Sequence, residues 1–258
     1  MSTPPSIIIV TWNSGSHIKG CLAALSGFQE TEIIVIDNNS HDSTVSSVQT
    51  YPHIFLLQNK ENEGFTRAVN QGIQIARGQF LLILNPDVQI TANTIQTLIA
   101  HMEENPHVGA IAPKLLYPNG KLQYSCRRFP TLATFLLRGL GLTEDRPWMP
   151  PLLHRHLMTD YDHRETRDVD WVLGACMLIR RELIEDIGLF DEQYFLYYSD
   201  IDFCFRAKKA GWHIRYEPRV AAIHAYGRTS ARSIMGPAQR SHIADALLFF
   251  WRRWIHAI

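Results

Sequence analysis

The chain has 258 residues, enough for one large α/β domain or a domain with an appendage, and its 25 basic and 25 acidic side chains give a formal charge of zero, with no bias towards nucleic acid. Its four cysteines, Cys21, Cys126, Cys176 and Cys204, lie far apart with no C-x-x-C pair, which argues against a zinc site or a disulfide framework and for a reducing compartment. No apolar run reaches the ~18 residues of a membrane span and Met1-Ser2-Thr3-Pro4-Pro5 has no signal-peptide pattern, so a cytoplasmic protein is expected.

Residues 6–11 (SIIIVT) form an unbroken apolar run, which reads as a strand buried on both faces. The small polar loop Trp12-Asn13-Ser14-Gly15-Ser16 follows, then a helix over 16–26 with Ile18, Cys21, Leu22 and Leu25 on one face. Residues 32–36 (EIIVI) and 54–57 (IFLL) read as further strands. Strands alternating with helices predict a doubly wound, mostly parallel sheet with its strand ends on one edge. Asp37 lies at that edge. It either accepts hydrogen bonds from a ribose or base, or bonds its own turn, Asp37-Asn38-Asn39-Ser40. No G-x-G-x-x-G follows the first strand and no G-x-x-x-x-G-K-[ST] occurs, which removes the main support for dinucleotide and P-loop readings.

After Asn62-Glu63-Gly64 a helix is predicted with Phe65, Ala68, Val69, Ile73 and Ala76 inward. Its N-terminus suits an anion. Arg67 and Asn70 on its first turns either face a diphosphate or, for Arg67, stay in solvent as most arginines do. The run Phe80-Leu81-Leu82-Ile83-Leu84 is a fully buried strand that must stop at Asn85-Pro86-Asp87, because proline cannot donate to a ladder. Asp87 therefore reaches the same edge as Asp37. A carboxylate there can hold a divalent cation and, through it, phosphates; the alternative is an ordinary turn.

Four motifs in this order, Val10-Thr11-Trp12-Asn13, Asp37-Asn38-Asn39-Ser40, Asn62-x-Gly64-Phe65 with Asn70-x-Gly72, and Leu84-Asn85-Pro86-Asp87, resemble those of the family-2 glycosyltransferases, in particular the rhamnosyltransferase-like branch. The resemblance covers the chain up to Asp87. It implies the GT-A fold, a Rossmann-like, mostly parallel central sheet flanked by helices. A nucleotide-sugar-binding half over 1–113 would merge with an acceptor and catalytic half over 114–235, followed by a C-terminal amphipathic helix over 236–258. The resemblance implies that a nucleoside diphosphate sugar binds at Thr11, Asn13, Asp37, Asn62, Gly64, Arg67 and Asn85, and that Asp87 ligates Mn²⁺ or Mg²⁺. The family's central Asp-x-Asp begins here with Asn85, a neutral residue expected to touch ribose or order the loop.

In the second half, residues 94–104 are predicted as a helix with Ile95, Leu98, Ile99 and Met102 inward, 108–112 as a buried strand, and Asn119-Gly120 as a turn. Residues 130–165 read as an irregular, mobile excursion or lid, with His154 and His156 solvated rather than metal-bound. Residues 170–180 read as one strand whose Gly174 marks a bulge or close backbone approach. The family has a similar G-A-x-x-x-x-R segment lining donor sugar and acceptor, which implicates Gly174 and Ala175. Ser199-x-x-Asp202 fits a capping box with Ser199 as N-cap, which makes Asp202 mainly structural and leaves Asp200 at the first helical position as an ionised general base. The family usually has Glu-Asp here, the second acid being the inverting base; Ser199 replaces the first acid. The resemblance also puts Asp202 on the sugar side. His224-Ala225-Tyr226-Gly227-Arg228-Thr229-Ser230 resembles a family segment whose histidine helps bind metal or diphosphate, with Arg228 near phosphate oxygens. A lone histidine is otherwise more often structural. Strands over 211–216 and 220–224 close the fold. An aromatic, basic helix over 242–258 either lies on an anionic membrane, at its inner face, or packs on the domain or on a second subunit of a homodimer.

Taken with the resemblance, the reading is a metal-dependent inverting glycosyltransferase. It moves a sugar from dTDP-rhamnose, a UDP-hexose or a similar donor to a hydroxyl of a cell-surface glycan or lipid-linked acceptor. A sugar nucleotidyltransferase would carry a basic, Gly-rich loop after the first strand, and Trp12-Asn13-Ser14-Gly15-Ser16 lacks the basic residue. A non-catalytic nucleotide-sugar-binding protein would keep Asp37 and Asp87 but need no base.

Overall fold

A computed structural model describes residues 4–28, 31–140, 142, 148–225 and 237–255. The first half alternates as its apolar runs predict: β1 (Ser6–Thr11), α1 (Ile18–Ala24), β2 (Glu32–Asp37), α2 (Thr44–Val48), β3 (Phe55–Gln58), α3 (Phe65–Ile75) and β4 (Phe80–Leu84). These strands pair in parallel, β1 with β2 and β4, and β2 with β3. Every residue of β1 and β4 is buried, because helices cover both faces of the sheet. Successive side chains of β1 enter different cores. Ile8 and Val10 pack with Ala68, Val69 and Ile73 of α3, whereas Ile7 and Ile9 pack with Ile18, Cys21 and Leu22 of α1.

The chain continues through β5 (Val88–Ile90), α4 (Ala92–Glu104), β6 (Val108–Leu116), β7 (Leu122–Gln123), β8 (Cys126–Arg127), α5 (Leu132–Gly139), α6 (Pro151–Leu157), β9 (Arg167–Val169) and β10 (Trp171–Val172). It ends with β11 (Cys176–Arg180), α7 (Arg181–Ile187), α8 (Ser199–Lys209), β12 (His213–His224) and α9 (Pro237–Ile255). The main sheet runs β3-β2-β1-β4-β11-β6-β12-β5, with β7 on β6 and β9 on β12, and β8 and β10 form a separate ribbon. Strand β11 enters antiparallel between β4 and β6, while β6 and β12 are parallel to each other.

Three expectations about elements change. Residues 170–180 are two strands, because the chain changes partner: Leu173 N donates to Ser125 O of the ribbon, and Ala175 O already accepts from Asn85 N beside the sheet. The two closing strands are one, β12, with a register shift between Glu217 and Ala221. The stretch over 130–165 is not irregular throughout. It holds α5, whose N-cap Thr131 forms a capping box with Thr134, and α6, with a proline at its start. Met149, Leu153 and Leu157 build a small core there with Tyr124, Leu137 and Leu142. His156 is buried against Trp171, 5% exposed, and not solvated as expected; His154 is exposed and bonds Thr159.

Helix α9 packs on the domain through Asp245, Ala246 and Phe249 and leaves Ile243, Leu247 and Trp251 outward. Among the described residues no helix is long and apolar enough to cross a membrane. All four cysteines are free and buried.

Candidate active site

Because β1, β2 and β4 are parallel, Thr11, Asp37 and the turn after Leu84 share one edge of the sheet. Asp37 holds its own turn there. It is 1% exposed, and its carboxylate accepts from Thr11 Oγ1 at 2.8 Å, Ser40 Oγ at 2.6 Å and Ser40 N at 2.9 Å. Asn13, at φ 49°, ties the first loop to that turn: its amide donates to Ser40 Oγ and its Oδ1 accepts from His41 N. Asn62 Oδ1 accepts from Gly64 N at 3.0 Å. Gly64 sits at φ 85°, and a Cβ there would lie 2.6 Å from Phe195 O, so no other residue fits without displacing that loop. Arg67 is half-exposed and held by Glu63 at 2.6 Å and Glu192 at 3.3 Å. Asn70, read as facing a diphosphate, is instead 1% exposed and tied to both backbone groups of Phe190.

The turn Asn85-Pro86-Asp87 joins β4 to β5 at the same edge, next to the end of β12. His224 Nε2 is 3.4 Å from Asp87 Oδ1. The other ring nitrogen, Nδ1, donates to Gln123 Oε1 at 2.7 Å, which fixes the orientation of the ring. Burial opposes ionisation of Asp87, but the hydrogen bond and charge of His224 outweigh it and hold the carboxyl below its ordinary range. Among the described residues no group of three or more His, Cys, Asp or Glu side chains comes together as a metal cage. Arg228 lies outside the described residues.

Asp200 reaches this edge from α8. Its Oδ2 accepts from Gly174 N at 3.0 Å and its Oδ1 from Ile201 N at 2.9 Å. The next residue, Ala175, accepts from Asn85 N at 2.8 Å. Burial raises the Asp200 pKa, and the two amides and the charge of Arg127 only partly restrain it. The expected capping box is absent. Tyr198, at φ 62°, is the N-cap, Ser199 is already helical, and no side chain caps the helix. The helix starts one residue early because Asp202 N donates to Tyr198 O, and rings of Phe249 and His242 wall in the Tyr198 ring. Asp202 is 7% exposed and engaged with Arg206 Nε at 2.8 Å and with the Tyr194 hydroxyl.

Two residues at this site carried no motif. Gln123 is 101 positions from His224 and gives no local signal. Asp245 accepts from the amides of Phe195, Leu196 and Tyr197, the loop that leads into α8. Its signal was available: it is the one acid in the otherwise apolar and basic α9.

A mixed sheet whose parallel half ends in a carboxyl edge of the kind that binds ligands, with a carboxylate–histidine pair and a separately held carboxylate, is the architecture of an α/β ligand-binding enzyme. The chain belongs to Glycosyl transferase family 2, whose model matches residues 6–188. It is 32% identical to the N-acetylglucosaminyl-diphospho-decaprenol L-rhamnosyltransferase of Mycobacterium tuberculosis, across 96% of this chain and 87% of that protein. It is 26% identical to the rhamnosyltransferase WbbL of Escherichia coli strain K12, across 96% and 93%. The mannosyltransferase PcManGT from Pyrobaculum calidifontis, solved in complex with GDP-Man and Mn²⁺, shares the fold with a TM-score of 0.59 at 20% identity; the match covers 90% of this chain and 60% of that one. The fold is GT-A, and the chain is a glycosyltransferase.

Proposed function

We propose that the chain transfers a sugar, with inversion, from a nucleoside diphosphate sugar to a hydroxyl of a lipid-linked glycan acceptor. One observation carries the reading. Gly174 and Ala175, adjacent in sequence, hold Asp200 through an amide and Asn85 through a carbonyl, so base and donor turn hang on neighbouring peptides. The acceptor class is supported by the mycobacterial relative, whose name specifies a diphospho-decaprenol acceptor. Two relatives named rhamnosyltransferases favour dTDP-rhamnose as donor, with a UDP-hexose as the alternative.

In the reaction the acceptor hydroxyl gives its proton to Asp200 while its oxygen attacks the anomeric carbon. The bond from that carbon to the diphosphate breaks on the opposite face, the electron pair leaves with the diphosphate, and the configuration inverts. Burial makes Asp200 a stronger proton acceptor than an ordinary carboxylate, provided the pH stays above its raised pKa. Asp87 and His224 fit a divalent cation: a carboxylate oxygen and an imidazole nitrogen lie 3.4 Å apart, with Gln123 engaging the other nitrogen. Imidazole suits Mn²⁺ better than Mg²⁺. Asp87 and His224 would hold such a cation where it would offset charge on the leaving diphosphate.

Release of free nucleoside diphosphate, assayed over a donor panel with and without a lipid-linked sugar, tests the reaction. No release with any donor would leave a binding module. Asp87→Ala should weaken donor binding in Mn²⁺ and stop turnover. Calorimetry showing an unchanged, metal-independent donor affinity would overturn its role.

A lipid-linked acceptor gives the outer faces of α5 and α9 a use. The helices touch through Phe135, whose ring lies 5.9 Å from Phe250 and 6.0 Å from His242. Away from the core, Leu132, Leu136 and Leu140 of α5 and its C-cap, and Ile243, Leu247 and Trp251 of α9, are exposed at helical spacing. The charges on these helices are basic apart from the buried Asp245. Such a face suits the surface of an anionic bilayer. Co-sedimentation with anionic liposomes should fall at high salt and in Leu247→Glu. A protein that never sediments with such vesicles would assign the face to a second subunit.

A further inference from the structure

Arg127 is 8% exposed, yet among the described residues it makes no ion pair. Its Nε donates to Tyr124 O at 2.9 Å, and its guanidinium carbon lies 5.3 Å from the centre of the Trp171 ring. Its terminal nitrogens make no hydrogen bond among the described residues. Arg180 is the instructive contrast. It is equally buried without an acid, but its guanidinium closes the end of α4 on the carbonyls of Met102, Asn105 and Val108. A cation set this deep on one carbonyl is poorly satisfied unless solvent or a ligand at its terminal nitrogens supplies the rest.

The surroundings of Arg127 supply little. Ser125, just before the strand, has a buried hydroxyl with no partner. His156, whose ring is 6.4 Å from that of Trp171, has a buried Nδ1 with no partner, and it stays neutral. Arg138 of α5 adds positive charge: like Arg127, it acts on His156 and on the Tyr198 hydroxyl. The carboxyl that feels Arg127 is Asp200.

Position points the same way. Arg127 pairs with Trp171 in the ribbon, and three residues after Trp171 comes Gly174, whose amide holds Asp200. Three residues of extended chain span at most about 10 Å. One sugar, from a ring hydroxyl to its anomeric phosphate, fits within that span.

We infer that Arg127, supported by Arg138, seats the phosphate of a diphosphate-linked acceptor beside Asp200. The inference rests on the lipid-linked acceptor reading and adds a site to it. The sugar between phosphate and base then presents its hydroxyl to Asp200. The orphaned Ser125 hydroxyl and His156 Nδ1 line the same seat and gain partners when it is filled.

The test uses the full chain saturated with a nucleoside diphosphate and Mg²⁺, so that the donor's own phosphate seat is occupied. Farnesyl diphosphate is the probe, with farnesol and inorganic pyrophosphate as separate arms. The wild type should bind farnesyl diphosphate at least ten times more tightly than farnesol, and pyrophosphate should compete. Arg127→Met keeps the stem on Trp171 and removes the charge; it should lose that preference without a fall in Tm, since replacing a buried charge with an apolar side chain is often neutral or stabilising. Arg127→Lys should retain most of the preference. A wild type that does not distinguish the two farnesyl compounds, or a folded Arg127→Met that still does, overturns the site. Failure of the glycosyl-transfer reading would appear separately, as no nucleoside diphosphate released from any sugar donor.

Discussion

Two acids at the start of α8 do different work. Asp200 faces Gly174 with no cation bonded to it, whereas Asp202 is locked to Arg206, which also holds the carbonyls of Ile187 and Leu189. Asp200→Asn keeps the shape and removes the proton acceptor, so kcat should fall roughly a hundredfold or more with donor affinity close to wild type. Asp202→Asn should act on stability, costing about 2 kcal/mol as a charged hydrogen bond weakens. A base works deprotonated, so the wild-type rate should drop as the pH falls through the Asp200 pKa, which lies above the ordinary carboxylate value of about 4. Turnover and Tm of the two variants decide it; normal turnover in Asp200→Asn sinks the assignment. The residue pattern made Asp200 legible as an acid at a helix start. It misled about the cap, because the left-handed Tyr198 is fixed by rings on α9 that no local pattern reveals.

At the scale of elements, α9 is a strap on the loop before α8. The carboxylate of Asp245, 3% exposed, takes three successive amides at 3.3, 3.2 and 2.8 Å. Asp245→Ala leaves those amides unpaired at a cost on the order of 2 kcal/mol. Amide exchange at Phe195, Leu196 and Tyr197 should then accelerate, and kcat should fall more than KM changes, because the loop delivers Asp200. Unchanged exchange at those amides would show that α9 holds the loop by other means. The parallel strands were legible because burial on both faces leaves an unbroken apolar run, as in Phe80 to Leu84. The break between β10 and β11 was not, since it comes from a change of partner strand. Helices α5 and α6 hid among prolines and histidines because their cores are small and shared between them.

The whole molecule should be acid-sensitive for a reason unrelated to its chemistry. Burial and the charges of Arg127 and Arg138 push the His156 pKa down to about 3, and burial with Arg138 pushes His242 down to about 4. Both rings are neutral in the folded chain, while the unfolded chain takes up their protons below about pH 6.5. Their stabilisation is complete above that value. It is lost as the pH falls towards 4 and then 3, by about 1.4 kcal/mol per pH unit for each ring. Asp200 and Asp245, with raised pKa values, favour protonation in the folded state and offset part of the loss. The Tm of the wild type should fall between pH 6.5 and 4 more steeply than that of a His156→Gln, His242→Gln double variant. Parallel Tm curves would place the acid sensitivity elsewhere.

Strand β11 comes from late in the chain yet lies between β4 and β6, matched to β4 from Cys176 opposite Leu84 to Arg180 opposite Phe80. For protein recombination this makes the two halves a poor unit of exchange. A chimera joining the early half of one relative to the late half of another would ask strands from different parents to mesh face to face in the middle of the sheet. A mismatch there would shift Ala175, and with it both Asn85 and the peptide that holds Asp200. New donor or acceptor preferences are therefore better grafted as loops at the carboxyl edge than as interchangeable modules.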